Sequence, residues 1–201
     1  GKVTPREALI LGLVLSILGV GIAAMLSPLF ALLISGGIFL DVVVYTVLLK
    51  RQTCWSIVWG GIAGGMPILA GRTLGMGAID GIGILLALSI LFWIPTHMLT
   101  FSMRYREDYA AAGIPTFPAR HGDKVSRSII AFASLVAAAL IISAAILIGV
   151  QQGLIHLLGI LSGGLVLMVI LMLLKPTSRL NYHLFKFASI YMLTSMILLA
   201  I

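Results

Sequence analysis

Charge is scarce in this sequence, and negative charge scarcest: its 201 residues include 13 Lys and Arg but only 6 Asp and Glu. A soluble domain carries about 25% charged residues. Here the share is 9%, against 61% hydrophobic, which leaves too little polar surface to cover a water-facing globule. Cysteine is nearly absent, and the single Cys54 excludes an internal disulfide and a cysteine-based metal cluster. The patterns GxxxxGK[ST], HExxH, CxxC and GxSxG are missing as well. No small-residue cleavage site follows a short apolar core near the start, so no cleavable signal peptide is expected. The net charge of +7 is dispersed in small groups between apolar runs, so nucleic acid is not an expected partner.

Long apolar runs fill the space that charge vacates. A membrane-crossing helix needs ~20 mainly apolar residues, and in hydrocarbon only helices or closed barrels satisfy the backbone. The runs lack the period-2 alternation of barrel strands. The expected fold is therefore all-α: a polytopic transmembrane helical bundle, one domain over 1–201. Seven spans are expected at 8–26, 29–49, 54–71, 81–103, 128–150, 154–174 and 187–201. The last is short, which points to a start near Asn181 with Lys186 reaching back to the interface. Glycine-rich stretches at 60–65 and 162–164 suit close helix contacts.

The basic residues orient the bundle. Lys2, Arg6, Lys50, Arg51, Arg104, Arg106, Arg120, Lys124, Arg127, Lys175, Arg179 and Lys186 fall on one side of this topology, and Arg72 alone on the other. The positive-inside rule makes the crowded side cytoplasmic, with the N-terminus inside and Ile201 outside.

Four places carry potential chemistry. The connection 104–127, RYREDYAAAGIPTFPARHGDKVSR, gathers five basic residues with Glu107, Asp108, Asp123 and His121. Carboxylate oxygens suit Mg²⁺, which bridges one or two acids and a substrate phosphate, while Arg and Lys clamp phosphate oxygens. Composition alone equally describes, and favours, a plain solvated basic loop. Lys50 and Arg51 face the same boundary, where they also serve as topology anchors. Asp41 and Tyr45 share one helix face four residues apart. An intramembrane acid is costly and faces a cavity or a partner; a neutral, hydrogen-bonded structural role for Asp41 stays open. His97 follows Pro95 in WIPTHM, where the proline loosens the helix. It is either an iron ligand or acid/base group, or a hydrogen-bonded structural residue.

YTVLLKRQT (45–53), IVWGGIAGGMPILAG (57–71), WIPTHM (93–98) and YREDYAAAGIPTFP (105–118), in that order, resemble the UbiA superfamily of intramembrane prenyltransferases. Within it the pattern is most similar to the protoheme IX farnesyltransferase, or heme O synthase, branch, with DYxxAGIP the most specific element. The resemblance implies a bundle around a cavity open to the cytoplasmic side and to lipid. It implies farnesyl transfer from farnesyl diphosphate to the vinyl group of heme b, with Mg²⁺ assisting departure of the diphosphate. Other acceptors in the superfamily include quinone precursors and glyceryl ether lipids. By position, Glu107 and Asp108 match the second acidic motif, as metal ligands and catalytic residues. Arg106, Lys50 and Arg51 would contact diphosphate, Tyr45 and Asp41 would line the prenyl site, and His97 would touch the heme or the reacting centre. Implied partners are membrane lipid, prenyl diphosphate, heme b and the heme-handling enzymes of terminal oxidase assembly, in a prokaryotic cell membrane.

The departures from the family are specific. Nine spans are usual, and the first acidic motif lies ahead of a segment resembling GKVTPREAL. The chain is expected to hold seven of nine spans and half the metal site, and to be inactive by itself; natively this short, it would instead be a non-catalytic heme- or isoprenoid-binding bundle. WIPTHM stands for WxPPHF, GIPTF for GIPML, and Asp41 for an aromatic or amide. Tyr105 and Tyr109 occupy the spaced acidic positions of the broader superfamily.

Overall fold

The first helix is set by a capping box. Thr4 Oγ1 accepts from the Glu7 N–H at 3.2 Å, Glu7 Oε2 accepts from the Thr4 N–H at 2.8 Å, and Pro5 occupies the first turn. The computed structural model describes residues 3–200. Lys2 and Ile201, used above for topology, lie outside the described residues. Helix α1 (Pro5–Leu26) ends on Ser27, whose N–H donates to the Ala23 carbonyl and whose side chain caps α2 (Pro28–Ile38) by accepting from the Phe30 N–H. Helix α2 continues unbroken into a π-helical segment, Phe39–Leu49. Then follow α3 (Ser56–Met76), α4 (Gly81–Arg104), the short α5 (Arg106–Ala111), α6 (Phe117–Ile148), α7 (Gln152–Leu174) and α8 (Ser178–Ala200). No strand occurs among the described residues.

Among the described residues six helices are long and apolar enough to cross a membrane, with α2 and its π continuation counted as one, Pro28–Leu49. The chain is thus an all-helical integral membrane protein. The third of the seven expected spans forms α3, of comparable length, but six glycines and Arg72 dilute its hydropathy. Two boundaries move. Helix α8 starts at Ser178, nine residues ahead of the apolar run and close to the start near Asn181 that the short run pointed to, because its polar first turns pack one side inward: Asn181 and Leu184 are buried. Helix α6 starts at Phe117 rather than 128. It bends at Gly122, whose φ of 81° and ψ of 164° no ordinary helix allows. The connection expected as an open loop is therefore largely helical. Phe117 meets Trp55 edge to face (ring centroids 5.3 Å apart) and lies tilted against His121 (4.3 Å), tucking the start of α6 beneath α3.

Helices α3 and α4 meet through small residues. A Cβ on Gly65 would lie 2.7 Å from the Ala87 carbonyl oxygen, so only glycine permits this approach. The turn between them is tied by Arg72, which donates from Nη2 to Asp80 Oδ2 at 2.8 Å, while Asp80 Oδ1 accepts from the Gly83 N–H at 2.8 Å to start α4. The interfaces among α4, α6, α7 and α8 are rich in buried hydroxyls: Thr96 Oγ1 of α4 and Ser134 Oγ of α6 are 2.7 Å apart, Tyr191 Oη of α8 and Ser162 Oγ of α7 3.1 Å. Asn181 Nδ2 donates to the Thr100 carbonyl at 2.9 Å, and Trp93 Nε1 to the Ala188 carbonyl at 2.8 Å. Each such bond in lipid contributes about 0.6 kcal/mol, so they align helices more than they stabilise them. At the other extreme, α1 buries only Ala23 and offers its leucines to lipid.

Candidate active site

A cavity of about 220 Å³ opens where the π segment, α3, α4, α5 and the start of α6 converge. Asp41, Tyr45, Lys50, Ser102, Tyr109 and Thr116 supply its polar lining, and Ile57, Ile94, Met98, Leu99, Ile114 and Phe117 its apolar walls. A second hollow of about 510 Å³ adjoins it through the shared residues Asp41, Gly60 and Ile94, and is otherwise apolar, reaching Ile34, Met66 and Pro67. The two form one trough with a polar mouth and an apolar tail.

The local chain places the mouth. Asp41 and Tyr45 both line it, as their spacing required. Tyr45 lies against Gly60, where a Cβ would come within 3.4 Å of its ring. Lys50 Nζ stands 5.6 Å from the Tyr45 ring centroid and has no acidic partner among the described residues. Burial pushes the Tyr109 phenol above its usual range, so it remains a neutral donor at the mouth. The Thr116 hydroxyl is buried with no hydrogen-bond partner, an unspent polar group on the cavity wall.

The remaining expected residues are distributed around this mouth. Arg51 is exposed and does not line the cavity. Arg106 is ion-paired with Asp123, which Arg127 also approaches at 3.7 Å. Glu107 and Asp108 are exposed on the first turn of α5, beside the cavity-lining Tyr109, with no ion pair among the described residues. No group of three or more His, Cys, Asp or Glu gathers for a metal among the described residues. Two free carboxylates still fit Mg²⁺, which takes one or two acids and completes its shell with water and substrate phosphate.

His97 faces α8 rather than the trough. Its ring lies between Trp93 (centroids 4.7 Å, 29°) and Phe185 (4.6 Å, 30°), with Nδ1 3.1 Å from Ser189 Oγ. Ser189 Oγ also lies 2.9 Å from the Phe185 carbonyl, to which it can donate. With the hydroxyl proton on that carbonyl, Ser189 accepts from Nδ1–H of His97 and the Nε2 lone pair is free. A histidine oriented in this way is prepared to ligate a metal or to take a proton.

Sequence reasoning passed over Phe185, Ser189, Tyr182 and Arg104 as site residues. Tyr182 and Phe185 belong to turns of α8 ahead of the expected 187–201 span, and the four-residue spacing of Asn181, Phe185 and Ser189 was the available signal. Thr116 was visible only as an unusual residue in GIPTF.

Residues 1–192 match the sequence model of the UbiA prenyltransferase family. The protein is 34% identical over 194 residues to a protoheme IX farnesyltransferase of Sulfurisphaera tokodaii, covering 96% of this chain and 63% of that one. It is 41% identical over 140 residues to a protoheme IX farnesyltransferase of Pyrobaculum arsenaticum, covering 69% of this chain and 50% of that one. The chain thus spans between 50% and 63% of the length of these two relatives. Its fold matches a solved structure described as giving structural and mechanistic insights into the biosynthesis of digeranylgeranylglyceryl phosphate synthase in membranes, with a TM-score of 0.80 at 18% identity, over 99% of this chain and 70% of that one.

Proposed function

The chain belongs to the UbiA prenyltransferase family, and on that premise we propose that it transfers a farnesyl group from farnesyl diphosphate to a vinyl group of heme b. The observation carrying this reading is the trough, which pairs an uncompensated lysine at a polar mouth with an apolar tail. That is the shape of a ligand with an anionic head and a hydrocarbon chain. The names of the curated relatives supply the acceptor. The basic end is read as cytoplasmic, from the positive-inside rule, and residues 1–201 as one domain.

Lys50 holds diphosphate oxygens, with Arg51 adding charge from the rim. Arg106 joins them by exchanging Asp123 for the phosphate. Glu107 and Asp108 would hold Mg²⁺, which when bound neutralises charge on the departing diphosphate. The C1–O bond breaks heterolytically, leaving diphosphate with the electron pair and an allylic cation in the trough. The Tyr45 ring and the Asp41 carboxylate stabilise that cation, and the apolar walls keep water from it. The terminal vinyl carbon then bonds to C1, and water adds to the adjacent carbon and loses a proton. The product carries a hydroxyethylfarnesyl side chain. The heme-handling enzymes of terminal oxidase assembly are the implied partners.

Membranes carrying the gene product, supplied with heme b, farnesyl diphosphate and Mg²⁺, should yield farnesylated heme by mass spectrometry. Absence of that product beside an active control would sink the heme assignment. Transfer instead to a quinone precursor or glyceryl ether lipid would replace the acceptor and keep the chemistry.

A further inference from the structure

The apolar tail of the trough has a definite depth, set by two helices that run in opposite senses. Tyr45 meets Gly60 at the mouth, and Gly36 and Gly37 meet Met66 at the other end, so α2 with its π continuation lies antiparallel to α3. On α3 the hollow extends from Gly60, which also lines the mouth, to Met66 and Pro67. On the facing side it extends from Asp41 to Ile34. Gly60 to Met66 is six residues, ~9 Å at 1.5 Å per residue. Between these limits the α3 wall is Ala63 and Gly64, which leave room for a hydrocarbon chain.

The far end is built differently. A Cβ on Gly37 would lie 3.1 Å from Met66 Cβ, and one on Gly36 would lie 3.1 Å from Met66 Cε. The whole Met66 side chain therefore lies along the glycine pair and bridges α3 to α2 across the end of the hollow. A larger residue in place of Gly37 would push it out of that seat and into the tail. An isoprene unit adds four chain carbons, about 5 Å when extended at ~1.5 Å per bond. With the reacting unit beside Tyr45, Asp41 and Gly60, a tail of ~9 Å holds two more. We propose that Met66 is the chain-length stop of this site, admitting three isoprene units and refusing a fourth. The proposal rests on the prenyl-transfer reading above and adds what selects farnesyl over longer donors. An unbranched thioether suits the task, because it fills an irregular gap and presents only apolar or weakly polar atoms to the hydrocarbon.

Membranes carrying the gene product are supplied with heme b, Mg²⁺ and an equimolar mixture of geranyl, farnesyl and geranylgeranyl diphosphates, and the products are separated by mass. The product ratio is internal to each sample, so differences in expression or folding yield cancel. Wild type should favour the farnesyl over the geranylgeranyl product by about tenfold or more, the scale on which a filled apolar pocket discriminates size. Met66→Ala should raise the geranylgeranyl-to-farnesyl ratio by about tenfold or more. Met66→Phe, and Gly37→Ala acting through Met66, should raise geranyl over farnesyl. Met25→Ala, at an exposed methionine outside the trough, should leave both ratios as in wild type. A wild type that uses geranylgeranyl as readily as farnesyl diphosphate overturns the stop and leaves the transfer reading standing. So do ratios that Met66→Ala and Met66→Phe fail to move. Where Met66→Ala gives no product, Met66→Phe and Gly37→Ala decide, and an unmoved geranyl-to-farnesyl ratio refutes the stop. No prenylated product from any donor in wild type, beside an active control, overturns the transfer reading and the stop together.

Discussion

Gly65→Ala should destabilise the bundle, and the structure ranks its neighbours around it. The added Cβ would sit 2.7 Å from the Ala87 carbonyl oxygen and 3.3 Å from Ala87 Cα. Ordinary contact begins near 3.4 Å, so α3 must retreat from α4 by about 0.7 Å, because backbone cannot rotate aside. Overpacking of this kind costs about 1–3 kcal/mol, and the retreat also loses dispersion contacts along the interface. At Gly61 the obstacle at 2.7 Å is Leu91 Cδ1, the end of a flexible side chain, so the penalty should be smaller. At Gly64 the nearest atom is Ile94 Cδ1 at 3.3 Å, and at Gly71 nothing lies within 4 Å. The expected order of destabilisation is Gly65→Ala, Gly61→Ala, Gly64→Ala, with Gly71→Ala neutral or slightly stabilising through its lower unfolded-state entropy. Unfolding by sodium dodecyl sulfate in mixed micelles, followed by circular dichroism, measures the series. Equal stability of Gly65→Ala and Gly71→Ala would refute the packing argument, as would a greater loss at Gly61 than at Gly65.

Three further outcomes are expected. Asp108→Ala should abolish farnesyl transfer while helix content by circular dichroism stays unchanged; retained turnover removes α5 from the mechanism. Ser189→Ala should lower heme affinity by about 10- to 100-fold by freeing the His97 tautomer, and an unchanged Soret titration would show that the orientation is unimportant. The Arg72 guanidinium, followed by the Gly83 amide, holds the Asp80 carboxyl below its usual range. A depressed carboxyl contributes stability above its unfolded value, ~3.9, and loses it as pH falls through the folded value. Unfolding measured from pH 6 to about 3 should therefore weaken toward acid in wild type and less so in Asp80→Asn.

The helical class was legible because lipid demands uninterrupted apolar runs, and those survive any tertiary arrangement. Helix α8 was only half legible. Its first turns carry Arg179, Asn181, His183 and Lys186, which read as polar until Asn181 is seen bonding the Thr100 carbonyl. The 106–111 helix lay hidden in a charged stretch whose composition matches a loop. At the site, the spacing of Asp41 and Tyr45 placed them together because four residues return a helix to the same side. The partners of His97 were not legible: Ser189 lies 92 residues away in sequence, and nothing local marks it. Thr116 stood out as a departure, but its lack of a partner is a property of its surroundings.

The π-helical segment Phe39–Leu49 has a consequence for insertions and deletions. Its winding sets the rotational phase between everything upstream, α1 and α2, and the Lys50 corner downstream. Loss of one residue there would turn that phase by the angle one residue subtends, somewhat less than the ~100° of an α-helix because π winding takes more residues per turn. Asp41 would swing off the trough while every hydrophobic run kept its length. Hydropathy would register no change, and the cavity would lose its acid. The segment therefore acts as an index between two halves of the bundle, sensitive to residue number where its neighbours are sensitive only to residue type.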